Sequence, residues 1–397
     1  MDELYDVIII GAGPAGGGAA NYLNQAGKKV LVLEKEHLPR YKTCGGGVST
    51  NLLASFPFSF DPVIASSVKS ISYALNKIIV TIPIQERQMY MVMRDRFDAW
   101  ILAHAQVEVQ QGVFICSVTE KDDRVLIESS EGVVYQSRYL IGADGANSIV
   151  ARCLNLRRGK VFVAALEVEA QVPLEVLQRF TDCPLFIFGE VRFGYAWIFP
   201  KADHLSVGMG ALHPKPGELQ MKLKRLVARY GIDLNGAQFH GHSLPIYLGR
   251  QPIMSKRSLL VGDAAGLVDP LTGEGIRFAI KSGRMVAEAI LSGRLDQYPK
   301  RVFQEIGISH SFGIGLAILF YSLQPLCFIL GVQNPFVTQA FIDLLSDRAD
   351  YPEVILRIFG TLPLFLMTEV VAALAGLLGG ARKREKIRSA VYSFPGS

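Results

Sequence analysis

Gly11-Ala-Gly13-Pro14-Ala15-Gly16 lies between a β-rich run, Tyr5 to Ile10, and a helical pattern from Pro14 to Ala26. Glycines at these spacings permit a tight turn and let the amides of a helix N-terminus approach a pyrophosphate. Glu34 stands 23 positions after Gly11, closing the apolar run Lys29 to Leu33. A carboxylate there accepts both hydroxyls of an adenosine ribose and disfavours a 2′-phosphate, so FAD or NAD is expected rather than NADP. A second cluster decides between them. Ser258-Leu-Leu-Val-Gly262-Asp263-Ala-Ala-Gly266 puts an acid just after a buried strand, and Asp269-Pro270-Leu-Thr272-Gly273-Glu274-Gly275-Ile276 opens a helix. The acid can bind a ribityl chain, while the helix N-terminus offers partial positive charge to a reduced flavin ring. The pair calls for FAD. No second G-x-G-x-x-G follows, so the electron donor, NADPH or a ferredoxin-like protein, must dock transiently.

These motifs need a particular framework. Strand, glycine turn, helix and strand within about thirty residues predict an α/β, Rossmann-like FAD-binding domain. It is discontinuous, because strand-like segments broken by Gly and Pro, about Ser70 to Pro83 and Val161 to Leu212, predict an inserted antiparallel sheet. The expected boundaries are 1–70, 90–157 and 250–300 for the FAD-binding domain, 71–89 and 158–249 for a substrate domain, and 301–397 for an apolar helical region with a basic tail.

The 397 residues are ample for two or three domains. Half are hydrophobic, 19% are charged and the mean hydropathy is +0.27, which excludes a disordered chain and is oily for a purely soluble enzyme. Ile306 to Ile342 and Ile358 to Leu378 are long enough to cross a membrane, but Gly313, Gly315, Pro325 and Pro335 break the first, and Pro363 and Glu369 weaken the second. Helices packed on the core with one face in lipid are preferred to spanning or wholly buried ones. Arg382, Lys383, Arg384, Lys386 and Arg388 against Glu385 form a basic cluster after the second segment, which suits an anionic membrane surface better than nucleic acid. Five cysteines without a C-x-x-C pair encode no disulfide framework, so a reducing compartment is expected, on the cytoplasmic side of a membrane. His240-x-His242 lacks a third ligand, so no metal site is expected and the pair is read as surface histidines.

Three further segments match a known pattern. Val92-Met-Arg94-Asp-Arg96-Phe97-Asp98, Tyr139-Leu-Ile-Gly-Ala-Asp144-Gly145-Ala-Asn-Ser148 and Gly262-Asp263 stand in the order seen in the two-dinucleotide-fold flavoproteins of the aromatic hydroxylase superfamily, which the chain resembles over about 300 residues. Pro39-Arg40-Tyr-Lys42-Thr-Cys44-Gly45-Gly46-Gly47-Val48-Ser49 and Tyr195-Ala-Trp197-Ile-Phe199-Pro200, with Gly208-Met-Gly210 after seven residues, are similar to segments of the geranylgeranyl reductases. The resemblance implies FAD contacts at Arg94, Lys35, Arg40, Gly45, Gly46, Val48 and Val118, with Asp144 stabilising the loop beside the nucleotide. It also implies a substrate slot of Tyr195, Trp197, Phe199, Pro200, Gly208 and Gly210, flat and apolar enough for an isoprenoid. The lysine that flavin-dependent halogenases need has no defensible counterpart in Lys69 or Lys77.

The activity so implied is hydrogenation of C=C bonds in a polyprenyl chain of a diphosphate, tetrapyrrole, quinone or lipid. An isolated trisubstituted alkene has no carbonyl to take up charge, so protonation must precede or accompany hydride transfer. Cys44 is the expected proton donor or relay, with packing of the flavin loop as its other reading. A monooxygenase of a lipophilic substrate and a nonenzymatic flavin-bearing protein that binds prenyl-lipids are the rival functions.

Overall fold

The computed structural model describes residues 4–84 and 89–392; residues 1–3, 393–397 and 85–88, the last within the 71–89 stretch, lie outside the described residues. Parallel strands buried on both faces must be apolar along their length. Val7 to Ile10, the buried part of strand Leu4–Ile10, meets that requirement, and the strand lies between Val30–Glu34 and Val134–Gly142, parallel to both. Glu108–Gln111 and Ser258–Leu260 join in parallel at either side, while Val125–Ser129 and Ile115–Glu120 add an antiparallel edge. This mixed seven-stranded sheet is therefore built from separated stretches of chain.

Helix Pro14–Gln25 begins Pro-Ala-Gly-Gly-Gly. Each glycine costs about 1 kcal/mol of helix propensity against alanine. Close packing offsets that cost. A Cβ on Gly17 would lie 2.8 Å from Ile101 in helix Arg94–Ala105, and one on Gly283 in helix Ile276–Leu291 would lie 2.5 Å from the Ala15 carbonyl oxygen. Asn21 fastens the first contact by donating to the carbonyls of Gly17 and Ile101.

The second sheet runs in the order His240–Ile246, Val161–Ala170, Leu205–Leu212, Gly194–Pro200, Leu185–Phe188, Ser70–Leu75, Ile78–Pro83. It is antiparallel as expected except between Leu185–Phe188 and Ser70–Leu75, which run parallel. The chain between those two strands passes through the first sheet, so no hairpin fixes their relative direction. Register does the work that matters for the site. Trp197 pairs with Gly208, Gly208 with Glu167, and Glu167 with His240; one row along, Tyr195, Gly210, Ala165 and His242 are aligned. Directly opposed residues share a face, so aromatic, glycine, acid and histidine columns stand side by side. A small sheet of Gly47–Ser49, Met89–Val92 and Ile64–Ser67 lies apart from these two.

Of the C-terminal helices, the stretches Gln297–Ser322 and Tyr351–Leu377 are long and apolar enough to cross a membrane. Between them Gln324–Val332 and Pro335–Leu345 meet at 92°, with Pro325 and Pro335 in their first turns, while Pro363 sits inside the helix Tyr351–Tyr392. Glu369 pairs with Arg388. Nineteen residues of straight helix would hold these two roughly 28 Å apart, so the chain folds back between them. The start of the long helix is tied inward: fully buried Tyr351 donates its hydroxyl to both oxygens of Asp269, at 2.7 and 2.9 Å.

Candidate flavin and substrate site

One cavity of about 750 Å³ runs between the two large sheets. Its walls join Gly11, Gly13 and Glu34 at one end, Asp144, Asp263, Gly273, Gly275 and Ile276 in the middle, and Tyr195, Trp197, Phe199 and Glu167 at the other. The volume is in the upper part of the roughly 300–1,000 Å³ usual for small-molecule sites.

At the first end the glycine turn is closed by contact. A Cβ on Gly16 would lie 1.9 Å from the Gly11 carbonyl oxygen, and one on Gly11 2.4 Å from that of Ala143. Glu34 is buried; its Oε2 accepts from the Ala12 amide at 2.7 Å and its Oε1 from the Glu36 amide at 3.1 Å. Those bonds aim the carboxylate along the turn and leave lone pairs for further donors.

In the middle, Arg94 makes a bidentate pair with Asp98, at 2.8 and 2.9 Å. Burial opposes the Arg94 charge, but Asp98 and then Cys44 outweigh it and raise its pKa. Cys44 lies in the wall, its Sγ accepting from the Gly46 amide at 3.4 Å. Lys42 contacts the His242 ring at 2.9 Å, and His242 lies 3.9 Å from Asp263. Burial, then the Arg94 charge, pushes Lys42 down to about 8. Burial works against the Asp263 carboxylate, but the neighbouring His242 and the Lys42 charge hold its pKa below the ordinary value. Arg157, almost wholly buried, donates to the carbonyls of Asp263 and Ala146 and so staples together the two loops that carry Asp263 and Asp144.

At the far end the glycines are there for the rings. A Cβ on Gly208 would lie 2.0 Å from the Trp197 indole, and one on Gly45 2.6 Å from the Phe199 ring. Tyr195 donates to the Thr272 carbonyl, joining the aromatic strand to the loop that opens helix Ile276–Leu291. Lys201, buried, donates to the carbonyls of Gly45 at 2.7 Å and Val92 at 3.0 Å and props the cysteine-glycine loop from behind.

Most of the expected site residues line this cavity, including Lys35, Arg40, Cys44, Gly45 and Arg94. Others stand behind its wall. Gly16, Gly46, Gly208 and Gly210 shape the backbone, Val48 packs with Phe97, Ile276 and Ile280, and Pro200 accepts from Ser66 through its carbonyl at 2.9 Å. Val118 is in the core of the first sheet opposite Ile127, and the nearby lining comes from Val113, Phe114 and Ile115. His242, read as a surface residue, belongs to the wall, because its strand turns it toward Lys42. Tyr41, Lys42, Glu167, Arg157 and Lys201 were not expected. Glu167 alone carried a signal: an acid directly after the apolar run Val161 to Leu166.

The residues fit a flavin dinucleotide. On the cavity wall the buried Arg40 Nη1 and Asp144 Oδ1 have no hydrogen-bond partner, and the position of a Gly13 Cβ is open, with only Arg40 Nη2 at 3.7 Å. The sequence pattern of the pyridine nucleotide-disulphide oxidoreductases matches residues 5–162. An uncharacterized protein of Methanosarcina barkeri is 34% identical, aligning over 82% of this chain and 86% of its own. Chloroplastic geranylgeranyl diphosphate reductase of Arabidopsis thaliana is 31% identical over 75% of this chain and 68% of that protein. The chain belongs to the geranylgeranyl reductase family. A solved geranylgeranyl bacteriochlorophyll reductase-like structure from Thermoplasma acidophilum agrees, with a TM-score of 0.75 and 25% identity over 90% of this chain and 96% of that one. This geranylgeranyl reductase family member is accordingly an FAD-dependent oxidoreductase. Of the residues expected to hold the cofactor, Gly11, Gly13, Pro14, Ala15, Glu34, Arg94, Gly45, Asp263, Gly273, Gly275 and Ile276 all line the one cavity.

Proposed function

We propose that this reductase hydrogenates C=C bonds of a polyprenyl chain, whether of a diphosphate, tetrapyrrole, quinone or lipid, while held on a membrane surface. The carrying observation is the single cavity in which the flavin-binding residues run directly into an aromatic slot. When bound and reduced, the flavin supplies hydride. The protein does the rest: Trp197 and Phe199, seated on Gly208 and Gly45, wall the slot with rings, and the aromatic faces exclude water and favour a cationic centre. Cys44 lies in the same wall and is proposed as the catalytic contact at the reacting centre.

The apolar surface supports the membrane reading. Leu356 and Phe359 are each 71% exposed, and Met367, Val370 and Leu374 are exposed beyond them on the same helix. A polyprenyl chain and its reductase would meet most readily at such a surface. The donor that reduces the flavin, NADPH or a ferredoxin-like protein, is proposed to dock transiently.

The test is anaerobic. Protein reduced with dithionite and given a polyprenyl substrate should return its flavin to the oxidised form while the substrate gains two hydrogens per step, read by mass spectrometry. Reaction only after oxygen is admitted, with an oxygen atom in the product, would overturn the reductase reading in favour of a monooxygenase.

A further inference from the structure

Two acids that the flavin motifs do not use stand at the aromatic end of the cavity, one in its wall and one behind it. Strand alternation puts Glu167 and Glu169 on the same face of Val161–Ala170 as the aromatic column, and Glu167 lines the cavity. Glu167 is fully buried, and no donor reaches its Oε2. An ionised carboxylate in that position would be costly, whereas a protonated one can share its hydrogen with the neighbouring acid.

The neighbours form a route outward. Glu169 accepts from His204 Nε2 at 3.0 Å, and His204 Nδ1 lies 2.6 Å from Asp203, whose side chain is exposed. Toward the cavity, Glu167 Oε1 accepts from Ser206 Oγ at 3.2 Å and from the Tyr41 hydroxyl at 3.3 Å. Lys201, after the aromatic strand, interacts electrostatically with both acids, and His240, opposite Glu167 on the next strand, lies against the Tyr41 ring at 4.0 Å. Burial pushes Lys201 below its ordinary value while the two acids oppose that shift, so a proton on Glu167 spares the group a second buried carboxylate charge.

We propose that Glu167 is the acid that protonates the alkene, recharged from solvent through Glu169 and His204. The assignment rests on the reductase reading. Hydride from the reduced flavin forms one C–H bond and the Glu167 proton the other; the π bond is consumed, the flavin is oxidised by two electrons, and Glu167 is left as a carboxylate. That carboxylate regains its proton from His204 by way of Glu169, and His204 from water. Positive charge developing on the alkene lies between the acid pair and the Trp197 face, both of which stabilise it. Cys44 does not compete for this role. Its sulfur accepts from the Gly46 amide at 3.4 Å in the cavity wall, a place from which it can position the reacting chain.

The titration agrees with the geometry. Burial, and then the Glu169 charge, pushes Glu167 up to about 8, while His204 and the contact with Glu167 hold Glu169 below its ordinary value despite burial. Burial opposes the His204 cation, but Glu169 and Asp203 raise its pKa.

Infrared difference spectroscopy of the FAD-loaded protein at neutral pH should show a protonated carboxyl that is missing in Glu167→Gln; a wild-type protein without that band overturns the proposal. In anaerobic single turnover, Glu167→Gln should bind FAD and be reduced by dithionite normally, yet reoxidise its flavin on the polyprenyl substrate about 10²- to 10³-fold more slowly. The wild-type rate should fall as pH rises past about 8, and the variant should lack that limb. An unchanged rate and limb overturn the proposal. If Glu167→Gln does not fold, His204→Gln carries the same test: the first turnover should be fast and later ones slow, whereas equal turnovers count against the route. Wild-type protein that shows the band but never reoxidises its flavin on a polyprenyl substrate would overturn the reductase reading itself, and with it the destination of the proton.

Discussion

Gly13 and Gly16 belong to one turn but answer to different neighbours. A side chain at Gly13 would enter open space beside Arg40, so Gly13→Val is expected to fold with near-normal thermal stability and to carry no flavin, read from the visible spectrum. At Gly16 the clash is with the Gly11 carbonyl at 1.9 Å, and Gly16→Val should lose the fold itself, exceeding the roughly 1–3 kcal/mol of ordinary overpacking. Cys44→Ala should keep FAD and lose most turnover, or change how many double bonds are reduced. Replacing Cys116 and Cys153, both exposed and neither in the cavity wall, should leave product and rate unchanged. The turn and the acids Glu34 and Asp263 were legible because their chemistry is local in sequence. Arg157 and Lys201 were not, since each earns its role from carbonyls more than a hundred residues away.

At the scale of elements, alternation in Val161–Ala170 already puts Glu167 and Glu169 on one face, but nothing in that strand says which face meets a cavity; the register with Gly208 and Trp197 does. The basic cluster shows the opposite lesson. Its charges were legible, while the fold-back that gives Arg388 to Glu369 was not, because an ion pair nineteen residues apart breaks helical periodicity. Attachment to anionic vesicles should therefore depend chiefly on the exposed apolar face. Leu356→Glu combined with Phe359→Glu is expected to abolish co-sedimentation with vesicles while FAD content stays normal. Removing residues after Ala381 should weaken it only in part, and raised salt or alkaline carbonate should release the wild type. Resistance to carbonate, with protease cleavage on both sides of a sealed vesicle, would show spanning helices instead.

For the molecule as a whole, buried acids set how stability varies with pH. Burial raises Glu167 from 4.5 to about 8 and Glu274 to about 7. A carboxyl whose folded pKa is raised binds its proton more tightly in the native state, so its contribution falls as pH rises from about 4.5 through the folded value. The melting temperature of Glu167→Gln relative to wild type should accordingly be higher at pH 8 than at pH 5; a constant difference across that range would mean that Glu167 is ionised in the folded protein.

The bond from Tyr351 to Asp269 bears on how such a chain could be assembled from parts. Asp269 is fully buried and also accepts from the amides of Leu271 and Thr272, both at 2.8 Å, in the loop beside the flavin helix. Arg277, on the same helix, donates to the Leu344 carbonyl at 2.6 Å. The apolar C-terminal helices are thus stitched into the nucleotide domain and are no detachable tail. A deletion that stops before Leu344 would strip partners from two buried charged groups, each omission worth about 1–3 kcal/mol or more, and should yield insoluble protein where removal after Ala381 yields a folded flavoprotein. A soluble form is better sought by recolouring the exposed face of the long helix with charge than by cutting it away, and grafting the region onto another flavoprotein would require transplanting Asp269 and Arg277 with it.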